Sequence, residues 1–321
     1  MISQEKFIEQ MKLFEENYEI LFSNIENSAQ KIEIGNKQNK ICRFCGKNES
    51  QTTFKTISHS IPECLGNKTL ICLDECDECN KFFSEDIENH LDKVTLPYRT
   101  INMIKGKKKI PTFKTQDKKV RINVEDPVNK FMKIIAREDS GFVKLDEKNK
   151  TITIEYDLQS YIPCAAYKAL VKMGLSVMAE NELNNFNIVK QWILEKDHSK
   201  LLMKPLNVLM TFIPGINPLS RTLVFLFKKY SKNEKYPQCM FVLAFGNIMY
   251  QIAIPTDEEI KQKQSTKTIL KFLSPFELGW QLGEPTHKIL DWSQNTILKA
   301  HKQYMEFSYD EIKKLDPQEV K

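Results

Sequence analysis

The sequence lacks the features that mark secreted and membrane-spanning proteins. Its first twenty residues include five glutamates, unlike a secretory or mitochondrial targeting segment. Its longest uncharged stretch, 236–256, is interrupted by prolines, a glycine and polar amides, so we expect a soluble hairpin there instead of a membrane span. These absences predict a cytoplasmic protein that does not bind membranes.

Internal repeats and low-complexity tracts are also missing, and the composition is not extreme. Hydrophobic residues make up 41% and charged residues 28% of the 321 residues, which argues against wholesale disorder and against a fibrous protein. At ~150 residues per domain, a chain of this length is expected to form two domains.

Positive charge is concentrated in one short segment. The formal net charge is only +5, but residues 97–121 contain nine basic residues and one acid, a local charge of +8. The basic residues are Arg99, Lys105, Lys107, Lys108, Lys109, Lys114, Lys118, Lys119 and Arg121. This concentration predicts contacts with nucleic-acid phosphates, although a solvated basic linker would have the same composition.

Six of the eight cysteines fall within 38 residues. Without a secretory signal, a metal site explains this cluster better than a disulfide framework does. Two CxxC pairs can together close a tetrahedral site of four thiolates. We therefore predict a structural zinc ion bound by Cys42, Cys45, Cys76 and Cys79, with Cys72 as a possible competing ligand.

Hydrophobic spacing predicts an α+β fold. Apolar residues three or four apart from Phe7 to Ile25 indicate one amphipathic helix within 1–36.

A cysteine-rich segment at 37–96, called here the cysteine module, is followed by a basic linker at 97–121. The remainder, 122–321, is the C-terminal region, in which we expect an antiparallel sheet and segregated helices. The pattern predicts helices at 128–136, 161–178, 183–194 and 289–315, strands at 120–124, 206–213 and 223–227, and hairpins at 142–158 and 240–254.

The residues between the two cysteine pairs predict two short strands and a helix. His59 falls at the end of the first strand, and Asn80 lies in the first turn of the helix. At 100° per residue, Asn80 shares the apolar face of that helix, where an amide near His59 needs a partner. Capping of its own helix is the alternative role for Asn80, and a structural role is the alternative for His59.

The residues from the first cysteine pair to the helix after the second pair resemble a known family, the zinc-ribbon branch of the HNH endonucleases. The resemblance covers 41–96 and rests on Cys42-Arg-Phe-Cys45, Ser58-His59-Ser60-Ile61-Pro62-Glu63, Leu65-Gly66-Asn67 and Cys76-Asp-Glu-Cys79-Asn80. It implies a ββα-metal fold in which a histidine on the first strand activates water. A helix-borne Asn or His then holds one divalent ion, Mg²⁺ or Mn²⁺, against the scissile phosphate.

The resemblance also assigns roles to individual residues. His59 takes the place of the general base, and Asn80 takes the place of the last ion ligand. The family's middle Asn falls on Ile71, so Asn67 is the nearest candidate to orient the loop. Ser58 stands where the family commonly has Asp or Glu, and a hydroxyl is a weaker ligand for Mg²⁺. Candidates to replace the missing ligand are Glu63, Glu85, Glu88, His90 and water.

The sequence therefore favours a metal-dependent DNA endonuclease in which segment 97–121 holds phosphates beside the cut. The C-terminal region would regulate, oligomerise or recognise the target, either as a homo-oligomer or with a partner protein. Relatives of this module act in bacterial restriction and anti-phage defence, and the resemblance implies such a setting here. The alternative is a catalytically inactive, zinc-dependent nucleic-acid-binding protein, because Ser58 departs from the family pattern. The choice between DNA and RNA stays open at this stage.

Overall fold

A computed structural model describes residues 4–24, 30–115, 118, 120–128, 131–136, 143–215, 217–262, 269, 271–272, 283–299 and 301–309. The helices are α1 (Gln4–Glu15), α2 (Asp77–Phe83), α3 (Asn89–Ile101), α4 (Pro163–Ser176), α5 (Glu180–Leu183), α6 (Asn187–Leu194) and α7 (Asp257–Lys261). A π-helical turn, Ser84–Glu88, joins α2 to α3. None of the described helices is both long and apolar enough to cross a bilayer.

The strands are β1 (Tyr18–Ser23), β2 (Ile32–Ile34), β3 (Ser58–His59), β4 (Leu70–Cys72), β5 (Phe113–Lys114), β6 (Val120–Asp126), β7 (Phe131–Ala136), β8 (Val143–Asp146), β9 (Thr151–Asp157), β10 (Asn207–Phe212), β11 (Leu219–Lys229), β12 (Cys239–Gly246), β13 (Ile248–Ala253), β14 (Thr286–Asp291) and β15 (Lys302–Ser308). They form a six-stranded sheet in the order β1-β11-β12-β13-β10-β14, and three-stranded sheets in the orders β15-β9-β8, β2-β4-β3 and β5-β6-β7. Antiparallel sheets with separate helices confirm the predicted α+β class.

Helix α4 lies at the centre of the molecule. All fourteen of its residues are buried, because it packs on α3 and the π-helical turn on one side and on α6 and β12 on the other. Gly174 permits the close approach to β12: a Cβ there would lie 3.2 Å from Cγ of Phe241. A helix covered on all sides is usually apolar throughout. Lys168 and Lys172 depart from that pattern, and both are buried.

The N-terminal segment differs from the prediction. The helix ends at Glu15, and Tyr18–Ser23 forms β1, which pairs antiparallel with β11 at the edge of the six-stranded sheet. The predicted single helix from Phe7 to Ile25 is therefore wrong, and Ile25 itself lies outside the described residues. A spacing of four residues between apolar side chains fits the helical period of 3.6, but it is also a multiple of the strand period of 2.

Two predicted helices of the C-terminal region are also wrong. Residues 131–136 of the predicted helix 128–136 form strand β7, and the described part of 289–315 contains the end of β14 and all of β15. Short apolar runs do not distinguish a buried helix from a strand. The helix at 161–178 is confirmed as α4, and the hairpin at 240–254 is confirmed as β12–β13, which turns at Gly246 with φ +56°.

Arg43 fastens the cysteine module to the C-terminal end of α4. Its guanidinium forms a two-pronged ion pair with Asp74, with Nε–Oδ1 at 2.7 Å and Nη2–Oδ2 at 3.1 Å. Its Nη1 also donates to the carbonyl oxygens of Leu175 and Ser176 at 2.9 and 2.8 Å. The Arg43 side chain is only 1% exposed. These bonds satisfy carbonyls that the last turn of a helix leaves without partners.

We predict that Arg43→Met lowers the free energy of unfolding by about 3–5 kcal/mol, because it leaves Asp74 buried without its counter-ion. Urea unfolding of zinc-loaded protein measures the change. Lys47→Met is the matched control, since the Lys47–Glu78 pair in the same module is exposed and should contribute little. Equal stability of Arg43→Met and wild type would contradict this role.

Candidate active site

The four predicted cysteine ligands lie together. Their Sγ atoms are all within 4.8 Å of one another, and Cys45 Sγ is 3.7 Å from Cys76 Sγ. A tetrahedral zinc site with Zn–S bonds of ~2.3 Å has sulfur–sulfur edges of about 3.8 Å. The thiols therefore fit a closed four-thiolate metal site. A hydrogen bond with the Cys79 thiol lowers the pKa of Cys42 to about 5.

Cys72, the possible competing ligand, lies outside this cluster. It is buried in β4, and its thiol donates to Asp74 Oδ1 at 3.4 Å. We looked among the described residues for three or more His, Cys, Asp or Glu side chains close enough together to hold a metal ion. The four predicted cysteines are the one such group there. The geometry favours the four-cysteine set without Cys72.

The cysteine module has the predicted order of two short strands and a helix. Strand β3 pairs antiparallel with β4, with Ser58 opposite Cys72 and His59 opposite Ile71. Asp77, the first residue of α2, accepts backbone hydrogen bonds from Lys55 and Thr56 and so ties the approach to β3 onto the helix. Metal site, hairpin and helix thus form one packed unit.

Ser58 and Asn80 meet where β3 faces α2. Ser58 is 1% exposed, and its Oγ donates to Asn80 Oδ1 at 3.2 Å. Cys76, and not Asn80, occupies the N-cap position of α2, and no side chain caps that end. The alternative role of Asn80 as a helix cap is therefore excluded. Its amide oxygen instead lies beside the strand that carries His59.

His59 is partly exposed at the edge of this unit. Its side chain is 23% exposed, its Nδ1 is covered and lacks a hydrogen-bond partner, and its Nε2 lies 4.0 Å from Glu63 Oε1. Burial lowers the pKa of His59, Lys172 and Lys107 lower it further, and Glu63 opposes the shift. The imidazole is therefore neutral at pH 7, which is the form that can accept a proton.

The side chain of Asn67 forms hydrogen bonds across the loop between β3 and β4. Its Nδ2 donates to the carbonyl oxygens of Ile61 at 2.6 Å and Leu70 at 3.2 Å. Its Oδ1 accepts from the backbone N–H groups of Thr69 and Leu70 at 3.1 and 3.0 Å. These four bonds close the loop that follows His59.

The structure adds two residues that the sequence analysis missed, Glu75 and Lys172. Lys172 Nζ lies 3.1 Å from Glu75 Oε2 and 3.1 Å from Glu88 Oε1, and it donates to the His59 carbonyl oxygen at 3.2 Å. Burial raises the pKa of Glu75 to about 7, while Lys172 and the Ser58 hydroxyl counteract the shift. Glu75 could have been found from the sequence, because it directly precedes the predicted metal ligand Cys76. Nothing in the sequence indicated that Lys172 would contact this site.

Glu88 is the one of the predicted acidic candidates that contacts Lys172. The π-helical turn ends at Glu88, and such turns often occur at functional sites. Glu63 faces His59, and Glu85 is exposed. His90 instead accepts from the backbone N–H of Ile162 at 3.0 Å and packs edge-on against His198. None of the contacts described for His90 reaches Ser58, His59 or Asn80.

The prediction that Arg99 contacts nucleic acid needs correction. Arg99 is 3% exposed, pairs with Asp92 at 2.6 Å, and donates to the Cys64 carbonyl oxygen at 3.2 Å. It lies in the last turns of α3, so the segment predicted as a linker begins inside a helix. A buried guanidinium whose three nitrogens all bond within the fold is not available to phosphates. Lys119 lies outside the described residues.

The other basic residues of the segment are exposed. They are Lys105, Lys107, Lys108, Lys109, Lys114, Lys118 and Arg121. Lys114 and Arg121 are directly opposite each other on β5 and β6, so their side chains share one face.

The loop 105–109, called here the basic loop, packs against Cys64. Lys68 donates to the Gly106 carbonyl oxygen at 3.2 Å, and a Cβ on Gly106 would lie 3.5 Å from Cys64 Cα. Cys64 follows Glu63, whose carboxylate faces His59. Lys107 is close enough to affect the pKa of His59. The fold therefore sets exposed positive charge next to the candidate base.

Residues 42–96 match the family model of the HNH endonucleases. This segment is therefore similar to an HNH endonuclease module, and its four-cysteine cluster fits the zinc-ribbon type. Comparisons with curated proteins and with solved structures found no match. The family match covers about a sixth of the chain and leaves the C-terminal region unassigned.

The oxygen donors near Ser58 suit the hard divalent ion that the family implies. Glu75 Oε2 and Glu88 Oε1 each lie 3.1 Å from Lys172 Nζ, Glu75 Oε1 is buried without a hydrogen bond, and Asn80 offers an amide oxygen. Carboxylate and amide oxygens are the usual protein ligands of Mg²⁺ and Ca²⁺. Glu75 thus places a carboxylate beside Ser58, the residue that stands where the family commonly has Asp or Glu.

We predict that purified protein retains one zinc ion per chain after dialysis, as measured by elemental analysis. Cys45→Ser and Cys79→Ser should yield misfolded protein, because metal binding and folding are linked at such sites. Cys72→Ser is the control and should keep its zinc, since its thiol bonds Asp74. Folded wild type without zinc would contradict the assignment.

Proposed function

We propose that the protein is a metal-dependent DNA endonuclease that hydrolyses phosphodiester bonds at His59. The observation that carries the proposal is that the partly exposed imidazole of His59 follows Ser58, which bonds Asn80, within a module that matches the HNH family. The basic loop packs against Cys64, next to the Glu63 that faces this imidazole. A base, a polar site for a cation and a phosphate-binding surface are the parts that phosphodiester hydrolysis requires.

His59 would act as the general base. Its Nδ1 is covered, so Nε2 is the ring nitrogen that meets solvent and would take the proton of the attacking water. Glu63, 4.0 Å from Nε2, would stabilise the imidazolium that forms. General-base catalysis of this kind typically contributes ~10²- to 10⁴-fold in rate.

Asn80 and Ser58 would offer oxygen ligands to the divalent ion, and the carboxylates of Glu75 and Glu88, paired with Lys172, would add negative charge behind them. When bound, Mg²⁺ or Mn²⁺ would offset negative charge on the phosphate and on the leaving 3′ oxygen. Asn67 would keep the loop after His59 closed, so that the imidazole stays aimed at the phosphate.

A role in bacterial restriction or anti-phage defence is the biological setting that the family resemblance suggests. We include it in the proposal as a hypothesis that rests on the resemblance. Plaque counts of phage on bacteria expressing the wild type, compared with bacteria expressing His59→Ala, would test it.

We predict that His59→Ala abolishes nicking of supercoiled plasmid and leaves zinc content, folding and DNA affinity near wild type. The base acts on water in the transition state, whereas phosphates and zinc are held by other residues. The assay compares Mg²⁺, Mn²⁺ and Ni²⁺, with a structured RNA as a parallel substrate. His198→Ala is the control, since His198 packs against His90 away from β3.

If wild type binds DNA but cuts neither substrate with any of these metals, the alternative of a catalytically inactive, zinc-dependent nucleic-acid-binding protein replaces the nuclease proposal. If His59→Ala cuts as fast as wild type, the chemistry lies elsewhere in the chain. Preferential cutting of RNA would correct the substrate and keep the site.

We predict that replacing Lys107, Lys108 and Lys109 by Gln weakens DNA binding and reduces its salt dependence. On duplex DNA, the slope of log affinity against log salt should fall by about 0.9 for each phosphate that the variant no longer neutralises. Gln at Lys144, Lys148 and Lys150, three exposed lysines of the β8–β9 hairpin, is a control with the same change in net charge. Equal slopes for the two triple variants would show that the basic loop does not bind phosphates.

A further inference from the structure

The amino group of Lys172 occupies a site built from the parts of the cysteine module that carry the proposed chemistry. Its three N–H donors face three oxygen atoms, one from Glu75, one from Glu88 and the carbonyl of His59, at 3.1, 3.1 and 3.2 Å. The ring of Phe83 lies 5.6 Å below the ammonium. The module thus surrounds this cation with three oxygen atoms and an aromatic ring.

Lys172 itself comes from α4 in the C-terminal region. Its side chain is 1% exposed, and the carboxylate of Glu75 is fully buried. Removing a charge from water is costly unless opposite charges and hydrogen bonds surround it. Burial opposes the charged form, but the two carboxylates outweigh burial and raise the pKa of Lys172. The lysine thus stays positively charged inside the fold.

The contacts of Lys172 converge on the strand that carries the candidate base. Strand β3 has only two residues, Ser58 and His59, so few backbone bonds fix it. The bond from Lys172 to the His59 carbonyl holds one end of it. Glu75, held by the same ammonium, lies beside the Ser58 hydroxyl, which bonds Asn80. One side chain from another region therefore supports both the strand and the helix of the site.

We propose that Lys172 is the positioning residue of the nuclease site, so that His59 is correctly placed only when α4 is docked on the cysteine module. This inference rests on the proposed function for its catalytic consequence. Its structural part, that Lys172 fixes β3, stands independently of cleavage. A base displaced by about 1 Å typically loses on the order of 100-fold in rate.

The test compares Lys172→Met with Lys168→Met in the full-length, zinc-loaded protein. Lys168 is a matched control, because it lies one turn away on α4, is equally buried, and bonds the Glu195 carbonyl oxygen instead of the module. Hydrogen–deuterium exchange of 57–61 reports on β3 without any need for cleavage. Single-turnover and steady-state nicking assays separate kcat from KM.

We expect faster exchange at 57–61 and about 100-fold lower kcat in Lys172→Met, with KM within about threefold of wild type and unchanged zinc content. Lys168→Met should match wild type at 57–61. If Lys172→Met does not fold, the triple variant Lys172→Met/Glu75→Gln/Glu88→Gln takes its place. This variant removes all three buried charges together. It should fold, because replacing a buried ionic group by neutral residues of similar size is often tolerated.

Faster exchange at 57–61 in that triple variant supports the proposal, and wild-type exchange there overturns it. Wild-type kcat in Lys172→Met also overturns it, since the strand would then need no support from α4. If the wild type does not cleave nucleic acid, the proposed function fails, and the exchange measurement still decides whether Lys172 positions β3.

Discussion

The four-thiolate cluster is the constraint on which the rest of the site depends. The two CxxC pairs lie far apart in sequence, yet their sulfur atoms lie within 4.8 Å of one another. The residues that build the site adjoin these ligands: Arg43 follows Cys42, Glu75 precedes Cys76, and Asn80 follows Cys79. A metal ion bound there would fix all three at once, since the module has little regular structure before α2 other than the short strands β3 and β4.

Helix α4 makes the C-terminal region part of the candidate site. Arg43 of the module bonds carbonyls at the end of α4, and Lys172 of α4 bonds carboxylates of the module. Both side chains are about 1% exposed, and both form ion pairs with buried carboxylates. Breaking such pairs leaves uncompensated charge, which typically costs several kcal/mol. We therefore expect the module and α4 to act as one unit, and an isolated cysteine module to lack a formed site.

The spacing of residues close together in the sequence was sufficient to predict part of the fold and of the candidate site. The CxxC pairs, the α+β class and the β12–β13 hairpin follow from residues close together in the chain. The strand β1 was missed because apolar residues four apart satisfy both helical and strand periods, and β7, β14 and β15 were missed because short apolar runs do not distinguish a helix from a strand. The burial of Arg99 and the contact of Lys172 with Glu75 depend on tertiary packing between distant segments. No single-sequence pattern encodes such contacts.

The central claim is that this site hydrolyses a phosphodiester by attack of water, with the 3′ oxygen as the leaving group. The most direct measurement is the chemistry of the ends at nicks that the zinc-loaded protein makes in plasmid with Mg²⁺ or Mn²⁺. The account predicts 5′-phosphate and 3′-hydroxyl ends, which DNA ligase reseals to covalently closed circles. Nicks that carry 3′-phosphate and resist ligation, or no nicks under either metal, would contradict it.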